Sequence, residues 1–182
     1  MAVLFFGVKM IDIRKAVVSD LDMIMKVEEE GFPSEIRESR KVFLDRLNEF
    51  PDGFFMLLRD GDVSGYFCCE LWEKVPDNTN DFFVGHDISK MHSKSGKVLY
   101  VSSWAILKKF RGTGYGKKYF EKCIDSVKKS YPAVSKLFLV VNENWAGPRK
   151  IYSDYGFNEC GEIKGFFPDG SGIMMEKRSW IP

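Results

Sequence analysis

Apolar residues recur along this chain at two periods. Ile11 and Ile13 alternate with Asp12 and Arg14, as in a half-buried strand. Leu21, Ile24, Met25 and Glu28 then follow at helical spacing. Ser19-Asp20-Leu21-Asp22 has the form of a capping box with Asp in place of Glu, and Gly31-Phe32-Pro33 closes that helix. Val42, Phe43, Leu44 and Leu47 give a second helix, over about 39–50, its apolar face. The runs 54–58 and 63–71 read as strands joined at Asp60-Gly61. Later come a buried strand (98–107), a helix (114–129), a strand (136–142), a helix (148–155) and a closing hairpin (157–163 and 172–178). The stretch 76–97 breaks both periods with Pro76, Asn78, Asn80, Gly85 and Gly96. A loop of that length inside a compact chain is usually functional or mobile. Alternating strands and helices with hairpins at both ends predict a mixed sheet of the α/β (α+β) class, in one domain over 1–182.

The handover from strand 98–107 to helix 114–129 carries the most chemistry. It reads Arg111-Gly112-Thr113-Gly114-Tyr115-Gly116. Glycine permits a tight turn and close approach of a ligand. The first N–H groups of a helix have no internal partner and attract anions, and Lys117 and Lys118 add charge. A Walker loop is excluded, because Arg111 stands where its first glycine belongs and Lys118 where Ser or Thr belongs. A dinucleotide fingerprint needs Gly-x-Gly-x-x-Gly early in the chain. Here the pattern is Gly-x-Gly-x-Gly, past the middle. A helix start with glycine turns and no ligand is the alternative.

Downstream, Asn142, Asn144, Gly147 and Pro148 follow strand 136–142, and then comes Tyr152-Ser153-Asp154-Tyr155-Gly156-Phe157. Arg-x-x-Gly-x-Gly after a strand, followed by an Asn-rich strand end and Tyr-x-x-x-Gly-Phe, resembles the GNAT (GCN5-related) N-acetyltransferases. Gly156 suits the left-handed position that closes a helix. Two departures stand out: Pro148 replaces a common alanine and sets the helix start at or just before 148, and Asn144 lies one residue further from Tyr152 than in the family. Within the family, Glu30-Gly31-Phe32-Pro33, the Gly61 hairpin, Leu71-Trp72-Glu73 and Phe110-Arg111 resemble the arylalkylamine type.

The resemblance implies a mostly antiparallel mixed sheet, splayed between its fourth and fifth strands. It also implies acetyl transfer from acetyl-CoA to a primary amine by direct attack in a ternary complex. Acetyl-CoA would be co-substrate, with no metal. Its pyrophosphate maps to Arg111, Gly112, Thr113, Gly114, Tyr115, Gly116 and Lys117, and its pantetheine arm to the backbone of Trp104, Ala105 and Ile106. A thiol has a pKa of about 8.5 and a phenol about 10, so a phenol can protonate the departing thiolate. Tyr152 is the candidate general acid, with core packing as the alternative. The base is open. Arylalkylamine enzymes carry two histidines where this chain has Tyr100 and Ser102. Glu70 is the candidate base, with Glu30, Tyr100 and His86 beside it; an ion-paired Glu70 and ordinary loop histidines at His86 and His92 are the alternatives, as is a mechanism using ordered water alone.

Composition narrows the partners. With 27 basic and 26 acidic residues the formal charge is +1, so no charge asymmetry points to nucleic acid or membrane. Cys68, Cys69, Cys123 and Cys160 show no metal spacing and read as buried free thiols of a cytoplasmic protein. The apolar segment 1–8 is too short to span a bilayer, and Met10 could serve as the start. The acceptor is expected to be a small-molecule amine; a protein or peptide amine and a non-catalytic acetyl-CoA-binding module are the alternatives. The chain would act as a monomer or homodimer. Phe82 and Phe83, adjacent in the 76–97 loop, either cap an acceptor pocket or anchor the loop.

Overall fold

The computed structural model describes residues 10–178. The apolar segment 1–8 lies outside the described residues. Seven strands form one sheet in the order β1-β2-β3-β4-β5-β7-β6. They are β1 (Ile11–Lys15), β2 (Phe54–Arg59), β3 (Asp62–Trp72), β4 (Val98–Ile106), β5 (Lys136–Asn142), β6 (Asn158–Phe167) and β7 (Gly170–Arg178). All pairs are antiparallel except β4–β5. The helices are α1 (Leu21–Gly31), α2 (Arg40–Glu49), α3 (Ile88–Met91), α4 (Tyr115–Ser130) and α5 (Ala146–Tyr155).

Both faces of the sheet are covered. Tyr119, Phe120, Cys123, Ile124 and Val127 of α4 bury against Phe67, Cys69, Leu71, Leu99 and Val101. On the other face Ile24 and Val27 of α1 and Phe43 and Leu47 of α2 pack on Phe54, Met56, Tyr66 and Cys68. Cys68 and Cys69 thus serve opposite faces, as the two-residue strand period requires. A smaller cluster of Trp72, Phe82, Val98, Tyr100, Phe138 and Ile163 fills the end beneath the 76–97 loop.

One irregularity positions the site. The β3–β4 register slips between Cys68, which pairs Ser103, and Cys69, which pairs Val101, leaving Ser102 as the extra residue. Such a bulge bends its strand. β4 and β5 pair only from Val98–Lys136 to Tyr100–Phe138 and then separate. The expected splay between the fourth and fifth strands is present.

Some local expectations change. Ser19 does not cap α1. Instead, the Asp20 carboxylate accepts the Val17 N–H at 2.9 Å and pairs with Arg14, extending the helix start by a 3-10 turn over Val18–Asp20. α5 begins at Ala146, two residues before Pro148; the missing proline N–H falls in the first turn, where no intrahelical acceptor exists. The closing hairpin is longer than its sequence pattern, because β6 passes through a register shift containing Gly165 (φ 64°) and continues to Phe167. Arg46 is fully buried on the apolar face of α2, while Val42 and Leu44 are half-buried. Cys160 is exposed, against the expectation of four buried thiols.

Candidate active site

A cavity of about 840 Å³ opens where β4 and β5 part. Its floor at one end is the glycine loop. Gly112 (φ 69°) and Gly114 (φ 77°) both take the left-handed conformation, and Gly114 is the N-cap of α4. A Cβ at either would meet nothing within 4 Å, so backbone conformation, not crowding, requires glycine there. Gly116 differs: a Cβ would come within 2.9 Å of Ile151 Cδ1, so its role is to let α4 approach α5. The first turn of α4 has no acidic residue. Arg111, Gly112, Thr113, Gly114, Tyr115, Gly116 and Lys117 all line the cavity. Arg111 Nε donates to the Ile106 carbonyl at 2.6 Å and Thr113 Oγ1 to the Phe110 carbonyl at 2.8 Å, which fixes the loop's shape. The glycines, the open first turn and the two cations form a cradle fit for a diphosphate.

The middle of the cavity is the splay. Trp104, Ala105 and Ile106 line it and pair with β3 on one edge; among the described residues no ladder partner from β5 faces their other edge. Tyr152 of α5 reaches the same space, and its hydroxyl accepts the Trp104 Nε1–H at 2.7 Å. Burial pushes the Tyr152 phenol well up, and the Trp104 contact only partly opposes this. It is therefore a neutral phenol whose own hydrogen remains available to a third group.

The other end faces α1, α2 and the 76–97 loop. Phe82 is 4% exposed and packs on Trp72 and Phe138, with centroids at 5.8 and 5.5 Å. Phe83 is 40% exposed and stacks on Phe166 of β6, at 4.8 Å and 21°. The loop is pinned on its other side by the Gly85 N–H, which donates to Glu38 at 2.8 Å.

The four candidates for the base fall in different places. Glu70 and His86 are brought together, with Nε2 to Oε1 at 2.8 Å. Glu70 is fully buried and does not line the cavity, whereas His86 does. Burial alone would push Glu70 up, but the His86 contact, Arg46 (Nε at 3.3 Å) and Trp72 Nε1–H (2.9 Å) hold it below its usual range. Tyr100 lines the cavity, and burial followed by the nearby Glu70 charge pushes its phenol well up, so it is a poor proton acceptor. Glu30 is elsewhere, accepting the Lys108 N–H below the glycine loop. Asn144 donates to the Asp169 carbonyl at 2.9 Å and holds the β6–β7 turn. His92 packs on Phe50 at 4.3 Å.

Sequence reasoning missed a second polar chain. Ser103 lines the cavity, and its Oγ lies 2.6 Å from the Tyr66 hydroxyl, which donates to Glu28. Glu28 is 1% exposed and also accepts the Glu38 N–H at 2.8 Å. At helical spacing it reads as one polar residue on a buried face; no local pattern signals it.

A family model, the acetyltransferase (GNAT) family, matches residues 21–157, most of the chain and both motif regions. The chain belongs to the GNAT family. It is an acetyltransferase. An N-alpha-acetyltransferase of Sulfurisphaera tokodaii is 25% identical over 164 residues, covering 90% of this chain and 89% of the relative. Among solved structures, the GNAT-like decarboxylase GphF in complex with isobutyryl-CoA aligns with TM-score 0.75 at 19% identity, covering 92% and 98% of the two chains. The ribosomal-protein-S18-alanine N-acetyltransferase of Escherichia coli aligns with TM-score 0.71 at 18% identity, covering 95% and 96%. These two likenesses concern the fold. Among the described residues no helix is long and apolar enough to cross a membrane, and no group of three or more His, Cys, Asp or Glu could hold a metal ion.

Proposed function

We propose that this GNAT enzyme acetylates the primary amine of a small molecule with an apolar or aromatic body, using acetyl-CoA. The observation that carries the acceptor class is the Phe83–Phe166 stack. It ties the 76–97 loop to the β6–β7 hairpin across the acceptor end, where an extended peptide would need an open groove. Phe32, Phe82, Tyr100, Phe166 and Phe167 line that end, which suits an arylalkylamine-like body even though Tyr100 and Ser102 replace that group's histidines.

In this reading the pyrophosphate lies on Gly112 to Lys117 and the pantetheine arm along the free edge of Trp104, Ala105 and Ile106, adding a strand-like segment. The acceptor nitrogen reaches the acetyl carbon from the α1–α2 side. Tyr152 stands on the α5 side and donates to the sulfur as the C–S bond breaks. No described cysteine lines the cavity, and burial pushes Cys68 up to about 12, which favours direct attack over an acetyl-cysteine intermediate. Glu70, the base suggested by sequence, is outside the cavity lining and touches it only through His86, which suits it to orienting that ring and not to taking the amine proton itself.

A second reading is the α-amino group of a protein N-terminus. The name of the Sulfurisphaera relative and its match over nine-tenths of both chains favour it. Release of CoA measured over a panel of arylalkylamines, polyamines and short peptides separates the two. The first reading expects kcat/KM at least about tenfold higher for an arylalkylamine than for any peptide. The reverse order would overturn it.

A further inference from the structure

We propose that Ser103, Tyr66 and Glu28 form the proton relay that deprotonates the acceptor ammonium, with Ser103 touching the amine and Glu28 the terminal proton acceptor. The proposal rests on amine acetylation, not on the size of the acceptor. An alkylamine with a pKa of about 10.4 is unprotonated in only about one molecule in a few thousand at pH 7, so nearly every turnover must remove a proton.

Three observations carry it. The chain of hydroxyls is continuous, from Ser103 Oγ at the cavity wall through the Tyr66 hydroxyl at 2.6 Å to Glu28 Oε2. It runs on the α1–α2 face, opposite Tyr152, so the proton acceptor and the proton donor flank the splay. And among the described residues no cation pairs directly with Glu28. Arg46, the buried arginine of this region, is paired with Glu38 at 2.9 Å and Glu70 at 3.3 Å. The titratable groups facing Glu28 are Tyr66 from β3, Glu38 from the segment before α2 and Arg46 from α2 itself; β4 contributes only Ser103. Burial raises Glu28 to about 7, against the donation from Tyr66 and the Glu38 N–H, so it can take and return a proton near neutrality. Glu70, held below its usual range by His86, Arg46 and Trp72, is the weaker proton acceptor of the two.

The step balances. The ammonium gives one proton to Ser103 Oγ, the Ser103 proton passes to Tyr66, and the Tyr66 proton passes to the Glu28 carboxylate. The freed lone pair forms the C–N bond, the C–S bond breaks, and the second amine proton leaves on the sulfur by way of Tyr152. Glu28 then returns its proton to solvent, so one ammonium and one acetyl thioester yield one amide, one thiol and one proton. Glu28 and Tyr66 act through Ser103 and are positioning residues in this scheme.

The test is the pH profile of kcat/KM for wild type, Glu28→Gln and Tyr66→Phe, on the same acceptor for all three. Gln keeps the acceptor for the Glu38 N–H, and Phe keeps the ring packed on Phe43 and Phe54. Each variant is expected to lose about 100-fold at pH 7 and to recover as pH approaches the acceptor's own pKa. With 2-phenylethylamine, protonated at pH 7, the loss should be full. With phenylhydrazine, largely unprotonated there, it should nearly vanish. If 2-phenylethylamine is no substrate, the pH series alone is run on the best peptide of the panel, so failure of the acceptor class and failure of the relay are separate results. Wild-type pH profiles in both variants would overturn the relay. So would an equal, pH-independent loss on protonated and unprotonated amines, which marks a merely structural role. Should Glu28→Gln not fold, Tyr66→Phe and Ser103→Ala decide by the same criteria.

Discussion

The Trp104 indole donates to Tyr152, which leaves the phenol's own hydrogen to be given elsewhere. If Tyr152 is the general acid as proposed, Tyr152→Phe should lower kcat by about 100-fold while leaving the acetyl-CoA dissociation constant within about twofold, because the hydroxyl would be used only as the thiolate forms. Stopped-flow turnover with calorimetry of acetyl-CoA binding checks both halves. Glu28 permits a stability prediction of opposite sign to its catalytic one. Its pKa rises from 4.5 to about 7 on burial, so the folded state loses stability as pH climbs from about 4.5 to about 7. Glu28→Gln should therefore match wild type near pH 4 and exceed it at pH 8, by up to about 3 kcal/mol. Urea titrations at the two pH values read this directly, and an equal change at both would refute it. The place of Tyr152 on the cavity wall was legible because Tyr-x-x-x-Gly-Phe is local. Glu28, Tyr66 and Ser103 come from three segments and meet only when α1 docks on β3 and β4.

Among elements, the 76–97 loop divides a pair that the sequence presents as equivalent. Phe82 lines the cavity and is buried on Trp72 and Phe138, whereas Phe83 is outside the lining and ties the loop to Phe166 of β6. Phe82→Ala should cost about 3–5 kcal/mol and also alter the acceptor KM, because its ring lines the cavity. Phe83→Ala should barely move the melting temperature but shift the acceptor KM several-fold, with acetyl-CoA affinity intact. Melting curves and acceptor kinetics on the two single variants test this division. At the other end of the cavity, Gly114→Val should abolish acetyl-CoA binding while the fold persists. A branched side chain resists φ 77°, yet nothing lies within 4 Å for it to strike. Unchanged affinity in a folded variant would end the pyrophosphate assignment. The strands and long helices were legible because their periods are strong. The start of α5 was not, since proline marks only the first turn, and the reach of β6 was hidden by Gly165 and its bulge.

For the molecule as a whole, the departure of β4 from β5 after Tyr100 lies beside one surplus residue, Ser102, a position that periodicity alone reads as ordinary strand. Binding in the resulting notch should tie the two halves of the sheet together. At 100 times its dissociation constant, acetyl-CoA should add about 2.7 kcal/mol of stability, visible as a rise in melting temperature of several degrees. No rise under saturating acetyl-CoA would show that the folded chain does not bind it. The same notch has a colloidal consequence. Beyond Tyr100 the described residues give β4 no ladder partner from β5, so the stretch around Trp104 borders an open sheet edge in the interior of the fold, although the Ile106 carbonyl already accepts from Arg111. Such an edge accepts any extended chain that reaches it, including one from a neighbouring copy. Preparations stripped of coenzyme should scatter light sooner on warming than coenzyme-loaded ones, and the seed of that self-association should be this interior edge, not the outer strands β1 and β6.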